Sequence, residues 1–387
     1  MEFDYLVFIG RFEPFHNGHA AVARHALTRA GKVIFLVGSA DTPRSTRNPW
    51  TVAERTVMIQ AAMGEALASR LIICPLRDHL YNESLWIAGV QRTVAEAIRS
   101  DRSNSGGNAG SNGNGPGNGA GKASDKVGDG SSGKDSVNND GTDVRVGLIG
   151  MDKDASSYYL KEFPQWPLVD VRHTEALSAT ELRRYLFEAG ANDRHGALLL
   201  LRGNVPEPVF EMLEAFRKNA PAYQELVAEH QFIMQYKEAW KPAPYPPTFV
   251  TTDAVVVHSG HLLLVRRRAA PGKGLWALPG GFVGQDETIL DASIRELREE
   301  TRLKVPTPVL KGSLKGRNVF DHPDRSQRGR TITHAFHFDF PAGELPDVRG
   351  SDDADKARWI LVSEALDMGP RLFEDHLHII EFFLGRG

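Results

Sequence analysis

A chain of 387 residues, 41% hydrophobic, is too long for one ordinary core and has room for two domains of common size. Its formal net charge of -3 excludes nothing specific, but as a bulk property it points to neither nucleic acid nor a membrane surface as partner. No apolar run approaches the roughly 20 residues of a membrane helix. The single cysteine, Cys74, rules out an intramolecular disulfide, and the expected location is the cytoplasm.

Strand-like runs at residues 5–9, 33–37, 71–75, 144–149 and 168–171 alternate with helical segments, which predicts an open, mostly parallel α/β sheet of Rossmann-like type. Cys74 falls inside the third run, as a buried strand residue rather than a nucleophile. Residues from about 100 to 142 are Gly, Asn, Ser and Asp with almost no large apolar side chain. Such a segment buries too little surface to offset its ordering entropy, so a disordered insert in a surface loop is expected. A helix over 90–98 and a strand over 144–149 place that insert inside one domain.

Ligands of parallel α/β sheets sit at the carboxyl ends of the strands, and the first strand here ends in Gly10-Arg11-Phe12-Glu13-Pro14-Phe15-His16-Asn17-Gly18-His19. Gly10 stands at the strand-to-helix turn, and His16 and His19 open the next helix, where backbone amides and the helix dipole favour phosphate. Zinc is the competing use of the two imidazoles, but no cysteine or carboxylate stands at ligand spacing. Ser178-Ala179-Thr180-Glu181-Leu182-Arg183 opens another helix. Ser178 or Thr180 can cap it, whereas Arg183, a permanently charged fork, suits phosphate.

His16-Asn17-Gly18-His19 resembles the HxGH motif of the nucleotidylyltransferase superfamily, and the segment from Ser178 to Arg183 resembles its second motif. Ser39 after Gly38, Asn48 with Pro49, Trp50 and Thr51, Asn82 with Trp86, and Lys153-Asp154 look like the archaeal-type nicotinamide-mononucleotide adenylyltransferases. The resemblance implies transfer of AMP from ATP to nicotinamide mononucleotide (NMN), giving NAD and pyrophosphate. It places His16, His19 and Arg183 at the ATP phosphates as catalytic groups, with Mg²⁺ bridging those phosphates. Gly10, Arg11, Phe12, Ser39, Asn48, Asn82, Trp86, Lys153, Asp154, Ser178 and Thr180 become substrate-binding positions. An indole face suits a cationic pyridine ring; a core role for Trp86 is the alternative.

Residues 206–240 turn helical, and Pro242-Ala243-Pro244-Tyr245-Pro246-Pro247 reads either as a stiff linker or as a loop packed on one domain. Strands are then expected at 255–257, 262–266, 309–314 and 331–340. Between them lies Gly281 to Leu303. At about 100° per residue, Glu296, Glu299 and Glu300 share roughly one third of a helix circumference. Like charges at that spacing repel unless a cation sits among them. Mg²⁺ fits, because it takes oxygen ligands and is completed by water and substrate phosphates.

Gly281, Glu287, Arg295, Glu296, Leu297, Glu299, Glu300 and Leu303 resemble the box of the Nudix hydrolases, which implies an α/β/α sandwich and hydrolysis of a nucleoside diphosphate derivative. Glu296, Glu299, Glu300 and Gly281 become metal positions for Mg²⁺, with Mn²⁺ as an alternative. Glu299 and Glu300 are catalytic as well, and Glu287 and Arg295 are supports. One position departs from the pattern. Arg302 stands where the family has glycine, and arginine is expected to end the helix without the left-handed cap that glycine supplies.

Outside the insert, the whole order resembles bacterial bifunctional NMN adenylyltransferase/Nudix proteins. That implies a nucleotidylyltransferase domain over 1–190, a helical connector and Pro-rich linker over 191–247, and a Nudix domain over 248–387 that cleaves ADP-ribose to AMP and ribose 5-phosphate. Its partners are then small nucleotides: NMN, ATP, NAD and ADP-ribose. Two alternatives stay open: a Nudix domain that only senses ADP-ribose or NAD, and adenylyl transfer to another phosphorylated acceptor. The basic segment Arg325, Arg328 and Arg330 is read either as a phosphate contact or as a solvated loop.

Overall fold

The computed structural model describes residues 1–106, 144–150, 159–171, 178–192, 195–351 and 354–385. The expected insert lies mostly outside them, as do Lys153 and Asp154. β1 (Phe3–Gly10), β2 (Ala30–Val37), β3 (Leu71–Pro75), β4 (Val146–Gly150) and β5 (Leu168–Asp170) form a sheet in the order β3-β2-β1-β4-β5, every pair parallel. Side chains of a strand alternate between faces, so β1 sends Leu6 and Phe8 into one apolar layer and Tyr5, Val7 and Ile9 into the other. The order reverses at β1, which puts the Gly10 end of that strand at the crevice where such sheets bind ligands.

Helices α1 (Asn17–Arg29), α2 (Val52–Met63), α3 (Glu83–Gly106) and α4 (Ala179–Asn192) cover this sheet. α3 runs through Gly106, past the change of composition near residue 100. Its last turns are tied down, since Asp101 accepts a hydrogen bond from the Tyr5 hydroxyl at 2.8 Å. Three helices follow, α5 (His195–Asn204), α6 (Glu207–Asn219) and α7 (Pro221–Trp240). Leu201, Val209, Leu213, Phe216, Tyr223 and Leu226 join the same apolar layer as Leu6 and Phe8.

The second sheet contains β6 (Thr248–His258), β7 (His261–Arg267), β8 (Trp276–Ala277), β9 (Gly280–Phe282), β10 (Leu314–Phe320), β11 (Arg330–Phe340) and β12 (Ala354–Leu361). Its main path is β10-β11-β6-β7-β12, with β8 paired to β7 and β9 to β6; β6 and β11 run parallel over their full lengths. Ala254 and Val256 face α8 (Ile289–Thr301) and α9 (Thr307–Gly312), whereas Val255 faces α10 (Val362–Leu366) and α11 (His376–Leu384). This alternation makes the α/β/α sandwich.

The strand expected at 309–314 is a correction. Pro306 caps and Pro308 opens the short helix α9, because proline's fixed φ suits a first helical turn, and the strand begins only at Leu314. Tyr81, from the first half, packs edge-on against Phe320 of the second core, ring centroids 4.9 Å apart. Among the described residues no helix is long and apolar enough to cross a membrane.

Candidate active sites

At the first site, β1 ends in Gly10, where a Cβ would stand 2.9 Å from the Phe12 ring. Phe12 itself takes φ 57°, which turns the chain sharply toward α1. His16 caps that helix: its Nδ1 accepts from the His19 amide at 3.3 Å, and His19 Nδ1 accepts from the His16 amide at 3.3 Å. The imidazoles stack with centroids 3.6 Å apart, so the expected pair forms at the start of a helix, where orphan amides favour an anion.

Arg183 is buried on α4, donating to the Glu13 carbonyl at 2.6 Å and to Thr180 Oγ1 at 3.1 Å. Burial, then the neighbouring Arg11, pulls its guanidinium down to about 10. Ser178 and Glu181 cap each other: Ser178 Oγ accepts from the Glu181 amide at 3.3 Å, and the Ser178 amide donates to Glu181 Oε2 at 2.9 Å. Arg11, Thr180 and Arg183 share an open cleft of about 620 Å³. Glu13 beside them is buried against Arg55, with Oε1 3.2 Å from Nε, and burial raises its carboxyl.

Ser39 and Asn48 line a smaller cavity of about 130 Å³ between the two halves. Ser39 takes φ 51° and is held by Asp78, its amide donating at 3.1 Å and its hydroxyl at 2.6 Å; Asn48 Oδ1 accepts from Arg11 at 3.4 Å. Asn82 Oδ1 accepts from the Leu85 amide at 3.1 Å as α3 begins. Trp86 is half-buried beside Tyr159 and Phe163, each ring centroid 6.0 Å away, in the apolar layer under the sheet. Cys74, half-buried in β3, has its thiol raised by burial.

At the second site, Thr288 starts α8 by accepting from the Asp291 amide at 3.2 Å, and the helix carries Arg295 to Glu300 past the loop after β9. Arg295 is the hub. It donates to both Glu287 oxygens at 2.9 and 2.7 Å, to Glu296 Oε1 at 2.9 Å, to Glu299 Oε2 at 2.8 Å and to the Phe282 carbonyl at 3.2 Å. The Glu287 bonds chiefly raise the Arg295 guanidinium and lower the Glu287 carboxyl. Glu300 is buried and accepts from the Gly280 amide at 3.0 Å, and burial pushes its carboxyl up to about 8. Burial raises Glu296 too.

Among the described residues no three His, Cys, Asp or Glu side chains stand together as a closed metal cage. Arg295 takes up Glu296 and Glu299, and the Gly280 amide takes up Glu300. The oxygen-only donor set still suits a hard divalent ion, since Mg²⁺ is usually held by one or two carboxylates and completed by water and phosphates. Gly281 leaves the needed room, because a Cβ there would fall 2.4 Å from Glu296 Oε1.

A cavity of about 290 Å³ opens beside Glu296 and Glu300 but not Glu299, and Arg267, Arg325 and Arg328 line it. Arg325 is buried in a two-point pair with Asp375, and Arg328 lies over the Phe282 ring at 5.4 Å. Arg330 is on the other side of the same loop and lines the first site's cleft. Arg325 also lines the smaller cavity at Ser39, so the three arginines are spread over three cavities. Sequence reasoning missed Arg267, Asp253 and His376, which also line the second cavity; no motif marks them, because they reach it from β7, β6 and α11. The Arg302 expectation is corrected as well: it ends α8 in the left-handed conformation itself, at φ 55° and ψ 23°.

The two sites define a protein with a nucleotidyl-transfer crevice on one sheet and an acidic diphosphate site on another. Residues 7–77 match the family described as cytidylyltransferase-like, and residues 247–382 match the NUDIX domain family. An Acinetobacter baylyi nicotinamide/nicotinic acid mononucleotide adenylyltransferase is 30% identical over 231 residues, 59% of this chain and 95% of its own. A Methanocaldococcus jannaschii ADP-ribose pyrophosphatase is 33% identical over 162 residues, 42% of this chain and 85% of its own. The crystal structure of a bifunctional NMN adenylyltransferase/ADP ribose pyrophosphatase from Francisella tularensis superimposes with TM-score 0.80 at 33% identity, covering 99% of this chain and 98% of that one. The chain therefore belongs to the family of bifunctional NMN adenylyltransferase/ADP ribose pyrophosphatases.

Proposed function

We propose that this protein makes NAD from NMN and ATP at the first site and hydrolyses ADP-ribose to AMP and ribose 5-phosphate at the second. The observation that carries both halves is the match to a bifunctional structure over 99% of the chain, with both motif sets in their expected elements. Residues 1–190, together with the helices of 191–247, are read as the transferase, and 248–387 as the hydrolase. The lone cysteine fits the cytoplasm as its place of work.

In the transfer, a phosphate oxygen of NMN forms a bond to the α-phosphorus of ATP, and the bond to the β-phosphate oxygen breaks, its electron pair leaving with pyrophosphate. The attacking group is already an anion, so the residues need only align it and stabilise charge. His16 and His19 meet the phosphates at the helix start, and Arg183 and Arg11 meet them from the cleft. Glu13 fixes the frame through its carbonyl bond to Arg183.

For the hydrolysis, Glu296, Glu299, Glu300 and Gly281 would hold Mg²⁺ or Mn²⁺, and the cation supplies Lewis-acid neutralisation of the diphosphate. Arg295 holds Glu296 and Glu299 in place, and the Gly280 amide holds Glu300. Arg267 and Arg328 offer positive charge to the substrate, and Phe282 offers an apolar face.

Arg183→Ala should abolish NAD formation from NMN and ATP while ADP-ribose hydrolysis stays within about twofold; Glu299→Gln should do the reverse, by about 100-fold or more. Product analysis with Mg²⁺ decides. Parallel loss in either variant contradicts separate sites, and ADP-ribose that binds without turnover contradicts the hydrolase.

A further inference from the structure

The cleft that opens at Arg183 has walls from both halves of the chain. Among its described lining residues, Arg11, Arg47, Arg183, Arg184 and Lys237 come from the first half, Arg330 begins β11 of the second, and only Asp324 is acidic. Asp324 is already engaged: Arg47 donates to its Oδ2 at 2.9 Å and to its carbonyl at 3.3 Å, while Thr46 bonds Gln327. Those bonds fix the loop before β11 against the first half. Six cations against one lining acid, with Asp321 behind Arg330, leave the cleft positive, and a ligand with several negative charges suits it. Burial chiefly lowers the proton affinity of Arg183, and the neighbouring Arg11 and Arg47 lower it further.

Arg330 is set apart from its loop neighbours. Arg325 and Arg328 line the cavity beside Glu296 and Glu300, and Arg330 does not. Its Nη1 bonds the Asp321 carbonyl, its Nη2 stands 3.6 Å from Asp321 Oδ2, and its side chain keeps 37% exposure on the cleft. The β-sheet anchors its backbone, with Arg330 in register with Thr248 of β6. A guanidinium so held is suited to two-point binding of a phosphate.

We propose that Arg330 is a polyphosphate-binding residue of the adenylyl-transfer site, so that the hydrolase half supplies a cation to the ATP triphosphate and the departing pyrophosphate. This rests on the adenylyl-transfer reading above. The transferase cleft is then complete only when the second half is docked.

The test uses the full chain carrying Arg330→Ala or Arg330→Lys, with initial rates measured against ATP and against NMN. Arg330→Ala should raise the KM for ATP about 5- to 20-fold, as expected for a partly exposed charged hydrogen bond, and leave the KM for NMN within about twofold. Arg330→Lys, which keeps the charge but not the two-point fork, should recover only part of the loss, and calorimetry should show weaker binding of inorganic pyrophosphate to Arg330→Ala. ADP-ribose hydrolysis, whose cavity Arg330 does not line, should stay within about twofold. An unchanged KM for ATP overturns the proposal, as does a parallel fall in ATP affinity, NMN affinity and hydrolysis, which would mark a packing role. If the unaltered protein forms no NAD from NMN and ATP, the transferase reading itself fails, an outcome separate from either of these. Should Arg330→Ala not fold, Arg330→Gln, which removes the charge and keeps much of the bulk, decides by whether the KM for ATP alone is raised.

Discussion

Arg325 and Asp375 form a two-point ion pair, Nε donating to Oδ2 and Nη2 to Oδ1 at 2.9 Å each, with both side chains almost wholly buried. The Tyr81 hydroxyl, from the opposite half, donates to the same Oδ2 at 2.5 Å. Removing one partner of a buried pair leaves the other charge without compensation. Arg325→Met should therefore cost about 3–5 kcal/mol, read as a lowered denaturant midpoint. A shift below about 1 kcal/mol would mean that solvent reaches Asp375.

His376 sets an acid limit. It is buried, its Nδ1 accepts from the Leu278 amide at 2.8 Å, and burial lowers its proton affinity. With the folded-state value depressed, the neutral ring's contribution is fully present above the unfolded value near 6.5 and is lost as pH falls through the folded value. Stability should fall between pH 7 and 5, and His376→Gln, which retains an acceptor, should reduce that slope by at most about 1.4 kcal/mol per pH unit. Identical slopes would place the titration at other groups.

Gly281 is needed for space. A Cβ would come within 2.4 Å of Glu296 Oε1 and 2.5 Å of its carboxyl carbon. Gly281→Ala should displace that carboxylate and lower ADP-ribose hydrolysis on the order of 100-fold, the cost of about 1 Å of misplacement, with NAD formation unchanged. Hydrolysis at the original rate would show that Glu296 can move without consequence.

Arg302 carries conformational strain at φ 55°. Its bond to Ser351 is exposed and contributes little. Arg302→Gly should stabilise the protein by about 0.5–1 kcal/mol in equilibrium denaturation, whereas Arg302→Ala, which keeps the strain and loses the bond, should not. If both variants destabilise, the Ser351 contact outweighs the strain.

Local pattern made much of this molecule legible. The five parallel strands, the His16/His19 pair at a helix start, Arg183 one turn into another helix, and the glutamates of α8 all follow from neighbours in sequence, whose periodicity and capping are set within a few residues. The same reasoning failed at Val309, where two prolines favour a helical turn over an extended run, and at Arg302, where the chain accepts strain to end α8 in the left-handed cap.

By itself, then, the sequence determined the two chemistries, because each is written in short motifs, at α1 and α4 for the first and on α8 for the second. Only tertiary structure decided what surrounds them. Tyr81 crosses into the second core, and Arg325, Arg328 and Arg330, nearly adjacent in sequence, are spread over three cavities. Those relationships join residues up to 294 positions apart, as Tyr81 and Asp375 are, and are fixed by how two sheets pack rather than by any local spacing.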